Sequence, residues 1–246
     1  GNGGGLSGET AFVEIGAAGT ATLTISDGGS FVQDANGVFT VGTEAGGSGI
    51  VDVTGTGSVL DAGGVMVIGA PTILGDVTRA DIAMSGGGEG DVTVGAGATL
   101  RAGEGQGDGA NDIFIGENGM LRVEDGGTVE ADVKTEGAGS FVTGNSPGWA
   151  TIDGDLDLGS DIVLEFAGTS RGQYDRIDIE GEAVLSALVT LDFSLDEGLT
   201  AGDRFTLIEA EEGLDMENAE FDIVGLAEGL DAQISVTDTG LFAELV

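Results

Sequence analysis

Neither cysteine nor histidine occurs anywhere in the 246 residues. Disulfides therefore play no part in stability, and the bases and nucleophiles from which catalytic triads are usually built are absent. A secreted chain can dispense with cysteine when its core suffices, so the redox compartment is not readable from this. Basic residues are scarce too: seven stand against 44 acidic ones, a formal charge of −37. Such a chain is repelled by nucleic acid and by anionic lipid surfaces, which excludes nucleic-acid partners. It suits solubility, cation binding, or salty surroundings that screen self-repulsion. No apolar run approaches the roughly 18 residues of a membrane helix, so no membrane span is expected. The opening Gly1-Asn-Gly-Gly-Gly5 has no basic region and no apolar stretch after it. No signal peptide is therefore expected here, and the chain reads as a processed or truncated mature segment. Aromatic residues make up only 5%, with Trp149 and Tyr174 single.

Glycine is abundant, at 49 residues, while 40% apolar content argues against wholesale disorder. A twelve-residue phrase organises the chain and occurs four times, beginning at Ala21, Gly49, Gly90 and Gly119. It reads aliphatic, any, aliphatic, a turn of small residues or Asp, Ser or Thr, then a second short apolar strand. Leu23/Ile25, Val51/Val53, Val92/Val94 and Leu121/Val123 are the matching pairs. A second phrase, aliphatic-any-aliphatic-Gly, precedes each copy, ending at Gly16, Gly42, Gly69 and Gly116. Alternation of period two inside each phrase predicts strands, and self-similarity at this spacing marks a repeat architecture.

Three short strands per unit, joined by Gly-rich corners, predict an all-β fold: a right-handed parallel β-helix. A rung alone cannot bury its inward residues, so like aliphatics stack along an axis and the phrase must repeat. The expected rungs are 12–32, 38–61, 65–101 and 112–131, with a fifth running through Phe141 and Val142 to Ile152. Residues 1–148 form this Gly-rich solenoid, with an irregular insertion at about 70–90 that is either a loop or an extra half-rung. Composition shifts at Gly144–Trp149, where glycine thins and strands lengthen. Residues 149–246 are expected to form a C-terminal β-rich subdomain that continues or caps the solenoid, partly with antiparallel strands. Glu209–Glu220 reads as an acidic loop or one short helical turn.

The repeated Leu23-Thr-Ile-Ser-Asp-Gly-Gly29 and Phe39-Thr-Val-Gly42 phrases resemble the passenger-associated repeat of bacterial autotransporter passengers. Ser146-Pro-Gly-Trp-Ala-Thr-Ile-Asp-Gly-Asp-Leu156 resembles the Ser-Pro-Gly strand that follows such repeats. Gly172-Gln-Tyr-Asp-Arg-Ile-Asp-Ile-Glu-Gly181 and Ala201-Gly-Asp-Arg-Phe-Thr-Leu-Ile208 are similar to C-terminal passenger strands. The resemblance spans nearly the whole chain. It implies a fold and a secretion style rather than an activity, since such passengers include adhesins, aggregation factors, proteases and toxins. The chain departs from the family in its acidity and in having no outer-membrane barrel within these residues.

Candidate chemistry is sparse. Gly103–Gly116 faintly resembles a calcium-binding Gly-Gly-x-Gly-x-Asp-x-aliphatic repeat, with Asp108, Asn111 and Asp112 as the side-chain ligands. A plain Gly-rich corner is the competing reading, because such sites are normally shared by consecutive copies. Asp153, Asp155 and Asp157 would share one face of a strand, as a solvated acidic face or a cation site. Trp149 and Tyr174 can stack on a sugar or pack at the junction of the two halves. Arg171, Arg176 and Arg204 lie among carboxylates, and salt bridges are the default for them. The outward Thr22/Thr24 pair is replaced by Ile50/Asp52, Asp91/Thr93 and Met120/Arg122, so no flat Thr array repeats and an ice-binding face is excluded.

The expectation is a non-enzymatic, extracellular or bacterial cell-surface structural or adhesive β-helical protein. Its partners would be further copies of itself, in an oligomer, filament or surface layer, or a surface glycan on a host or neighbouring cell. A calcium-stabilised secreted module is the first alternative, and a carbohydrate-active β-helix enzyme the second.

Overall fold

A computed structural model of the chain describes residues 12–70, 87–103, 112–144, 147–170, 172–195 and 198–246. Among these residues there are strands, turns and bends, and no helix. The first rung consists of β1 (Phe12–Ile15), β2 (Thr20–Ile25) and β3 (Ser30–Val32), and the second of β4 (Val38–Val41), β5 (Ser48–Val53) and β6 (Val59–Asp61). The third is β7 (Val65–Ile68), β8 (Glu89–Val94) and β9 (Thr99–Arg101); the fourth is β10 (Ile113–Ile115), β11 (Gly119–Val123) and β12 (Gly127–Glu130). Then follow β13 (Val133–Thr135), β14 (Ser140–Thr143) and β15 (Trp149–Asp153), and β16 (Leu156–Leu158), β17 (Ile162–Glu165) and β18 (Arg176–Ile179). The seventh rung is β19 (Glu182–Leu185), β20 (Leu188–Asp192) and β21 (Arg204–Ala210). The chain closes with β22 (Gly213–Asp215), β23 (Glu220–Val224), β24 (Ala232–Thr237) and β25 (Gly240–Leu245).

Every third strand pairs in parallel with the one a rung earlier, which makes the chain a parallel β-helix. One face is the eight-stranded sheet β1-β4-β7-β10-β13-β16-β19-β22. The second is β2-β5-β8-β11-β14, followed after a break in pairing by β17-β20-β23. The third runs β3-β6-β9-β12-β15-β18-β21 and ends in the antiparallel pair β25-β24. On the first and third faces parallel pairing continues across residues 148/149, with β16 between β13 and β19 and β15 between β12 and β18. Among the described residues the antiparallel strand pairing is at the end of the chain, where β25 pairs with β21 and β24 with β25.

The register shows why the phrases repeat. Val13, Phe39, Met66, Ile113, Val133, Leu156, Ala183 and Leu214 stand in one inward column of the first face. Leu23, Val51, Val92, Leu121 and Phe141 form the matching column of the second. Phe31, Leu60, Leu100, Val129, Ile152, Ile179 and Ala210 form that of the third. From the second rung on these inward side chains are nearly all buried, so each rung removes its neighbour's aliphatic surface from water. Toward the C-terminal end the core turns aromatic: Phe166 stacks on Phe193 at 4.0 Å and on Tyr174 at 6.3 Å, with Phe205 edge-on to both Phe166 and Tyr174. Tyr174 thus packs where the aliphatic and aromatic stretches meet.

The Gly that ends the aliphatic-any-aliphatic-Gly phrase has a steric cause. Gly42 takes φ +62°, and a Cβ there would collide with the carbonyl oxygen of Glu89 one rung away. Rung stacking brings backbone against backbone at this corner, and only glycine fits.

Two expectations are corrected. Glu209–Glu220 holds no helical turn: β21 extends to Ala210, and Gly213–Asp215 form β22 on the first face. Asp153, Asp155 and Asp157 do not share a strand face either, because the chain turns a corner at Gly154, so that Asp153 ends β15 and Asp157 lies in β16.

Candidate functional site

The outer face of the third sheet carries the most concentrated polar chemistry among the described residues. In β15 alternation sends Ala150 and Ile152 into the core and leaves Trp149 and Thr151 outside. In β18 it buries Ile177 and Ile179 and leaves Arg176 and Asp178 outside. Parallel register sets Trp149 beside Arg176, Thr151 beside Asp178, and Asp178 beside Glu209 of β21. The irregularity between Thr206 and Ile208 turns both Leu207 and Ile208 inward and resets the alternation, which aims Glu209 outward.

The side chains are tied together. The Trp149 indole Nε1 donates to Asp178 Oδ2 at 2.8 Å, and Arg176 Nε donates to Asp178 Oδ1 at 2.6 Å. A second Arg176 nitrogen donates to Glu209, and the guanidinium carbon lies 5.9 Å from the indole centroid, over the ring. One carboxylate therefore orients both the indole and the guanidinium, and the cation is shared between two acids. These groups line an open groove of about 610 Å³ that also takes in Thr151, Glu180, Glu211 and Thr239. Farther along the outer face, Asp153 neighbours Glu180, and the charges of Asp153 first and of Glu211 after it raise the pKa of Glu180, which is fully exposed. The groove is thus a π surface with several acceptors and a net negative field.

Of the three candidate calcium ligands, Asp108 and Asn111 lie outside the described residues. Asp112 is half-buried at the corner leading into β10, beside Gly103, whose added Cβ would collide with its carboxylate. The backbone N–H of Asp132 donates to Asp112 Oδ2 at 3.4 Å, while Asp112 Oδ1 is buried without a hydrogen-bond partner. Burial pushes the Asp112 pKa up to about 6, the Asp132 N–H pulls it down, and the Asp132 charge adds to the rise. The same corner recurs on later rungs: the Asp155 N–H donates to Asp132 Oδ1 at 2.8 Å and the Glu182 N–H to Asp155 Oδ1 at 2.7 Å. Corner aspartates thus cap the backbone of the following rung, a structural role that periodicity alone did not suggest. No group of three or more metal-ligating side chains comes together among the described residues.

Asp175 is the other unusual carboxylate. It is 1% exposed and accepts from the N–H groups of Gly148 at 2.6 Å and Glu165 at 2.8 Å. Burial nonetheless raises its pKa to about 6, against these donors. It joins the Pro147–Gly148 corner to β17 and β18 and has no access to a ligand. Of the remaining candidates, Asp157 pairs with Lys134 at 3.0 Å and Arg204 with Glu244 at 3.1 Å, while Arg171 lies outside the described residues.

Sequence reasoning named Trp149 and Arg176 but did not join them. The signal was present in the outward positions of Trp149-Ala-Thr-Ile152 and Arg176-Ile-Asp-Ile179, which align once rung register is known. Glu209 was not readable in this way, because the irregularity in β21 shifts its alternation. No protein-family model matches the chain, and no curated protein matches it.

Proposed function

We propose that this chain is a non-enzymatic structural or adhesive rod on the outside of a bacterial cell, of the autotransporter-passenger kind that its repeats resemble. The observation that carries the reading is the position of the single tryptophan. Trp149 stands outside the core, held by Asp178 and Arg176 at the wall of a groove. Half-exposed aromatic surface with fixed polar neighbours is what side-on recognition requires. No histidine or cysteine accompanies it, and two of its acids, Asp178 and Glu209, are engaged in holding Trp149 and Arg176. A stack of rungs supplies stiffness, and the strong negative charge keeps neighbouring rods apart until salt or divalent cations screen them. Self-association into an oligomer or layer accordingly depends on ionic strength.

The test is retention of the purified chain on immobilised polysaccharides and on whole cells, with the supernatant followed for released oligosaccharides. Saturable retention without released product is expected. Progressive shortening of a polysaccharide, lost on replacing one carboxylate, would instead establish a carbohydrate-active enzyme.

A second reading, a calcium-stabilised module, is favoured by the partnerless buried Oδ1 of Asp112. Carboxylate oxygens of this kind suit a hard cation. Calcium that binds only the folded chain would raise the melting temperature in proportion to the logarithm of its concentration, beyond what magnesium does.

A further inference from the structure

Resting on the adhesive reading, we infer that the Trp149 groove takes an amine-bearing sugar chain, a glucosamine-type oligosaccharide, in preference to neutral or acidic glycans. The carboxylates of Asp178, Glu180, Glu209 and Glu211 line it, against the single guanidinium of Arg176. That guanidinium is engaged by Asp178 and Glu209 together and is outnumbered by the lining carboxylates, which disfavours an anionic sugar. Glu180 and Glu211 line the groove together, and the charge of Asp153 first, with that of Glu211 after it, raises the pKa of Glu180, so a cation placed beside these acids relieves their repulsion. Beside them the partly exposed indole, with Arg176 over its ring, offers apolar surface to a sugar ring.

The backbone argues for a sugar over a peptide. In the groove floor β15 is paired on one side with β12 and on the other with β18, and β18 is paired in turn with β21. The main-chain groups of this floor are spent on the ladder, so a peptide cannot add as a strand. Recognition falls to side-chain carboxylates and to the hydroxyls of Thr151 and Thr239, the acceptors and donors that match hydroxyl and amine groups. The groove spans three rungs, about 10 Å at the usual strand spacing, and its volume suits a short oligosaccharide.

Because Trp149 is the only tryptophan, its emission reports on the groove directly. The full chain is titrated at fixed ionic strength with a fully deacetylated glucosamine hexamer, its N-acetylated counterpart, a neutral glucose hexamer and an oligolysine. The inference predicts a saturable emission change with the deacetylated hexamer, at least tenfold tighter than with either neutral hexamer. The E180Q/E211Q double variant, whose positions are exposed, loses at least tenfold, while D52N/D222N on the second face changes binding less than twofold. Equal affinity for the neutral hexamers overturns the amine preference and leaves the adhesive reading standing. Failure of every hexamer to bind overturns the sugar assignment, and the cell-retention experiment then decides the adhesive reading separately. Tighter binding of oligolysine, or equal losses in both double variants, replaces the inference with diffuse attraction to a polyanion.

Discussion

At the scale of single residues, the half-buried Asp112 and the buried Asp175 predict a pH dependence. Asp112 and Asp175 have folded-state pKa values of about 6, raised from 3.8 by burial. Between those values the folded chain holds more protons than the unfolded chain, so both groups favour folding as pH falls from about 6 toward 4. That contribution is lost as pH rises through 6. The melting temperature should therefore be higher at pH 4.5 than at pH 7.5 at constant ionic strength, and D112N should flatten the difference. An unchanged slope in D112N, followed by circular dichroism, would show that Asp112 is not among its causes. Gly42 gives a second prediction: G42A should cost at least about 2 kcal/mol, because it adds left-handed backbone strain to the collision with Glu89. Replacing Gly46 with Ala tests the collision separately, because its φ is +78° and nothing lies near its missing side chain. Its cost should be the backbone strain alone, smaller than that of G42A in denaturant melts.

At the scale of elements, the rung is the unit, and its legibility depended on how strictly each phrase was kept. The first four rungs were readable because the Gly phrase and the twelve-residue phrase fall in register, with Leu23 over Val51 over Val92 over Leu121. Later rungs keep the inward aliphatics and lose the glycines. Val133-Lys-Thr135 packs like its predecessors but is followed by Glu136 in place of the glycine, so the phrase does not mark it. Leu156-Asp-Leu-Gly159 satisfies the phrase, but the surrounding Asp153, Asp155, Asp157 and Asp161 give the stretch the look of an acidic run. A three-residue strand carries little periodicity of its own, and its stacking partner 20–27 residues away decides its state. The groove was less legible still, because it needs the relative register of β15, β18 and β21, including the irregularity within β21. The same dependence makes core positions sensitive: Leu100, buried between Leu60 and Val129, should lose about 2–5 kcal/mol on replacement by Ala. Urea unfolding checks this, with little change expected in the denaturant slope.

At the scale of the whole molecule, an aliphatic stack faces inward and a dense negative charge faces out, with one indole placed among the outer carboxylates. The stack explains how a chain with two prolines, no cysteine and a formal charge of −37 holds one fold. The charge explains why association should depend on salt: sedimentation should show more self-association in molar salt, where the screening length is about 3 Å, than at low salt. An unchanged distribution of species would leave the rods independent of one another. On the proposed reading, the position of Trp149 is what gives the rod a binding surface. The most direct test compares retention of the native chain, W149F and W149A on a glycan array, with folding verified by circular dichroism. The account predicts saturable retention of the native chain, partial retention of W149F and near-complete loss in W149A, with melting temperatures alike. Retention by W149A equal to that of the native chain would show that partners are engaged elsewhere on the rod and contradict the groove as its binding surface.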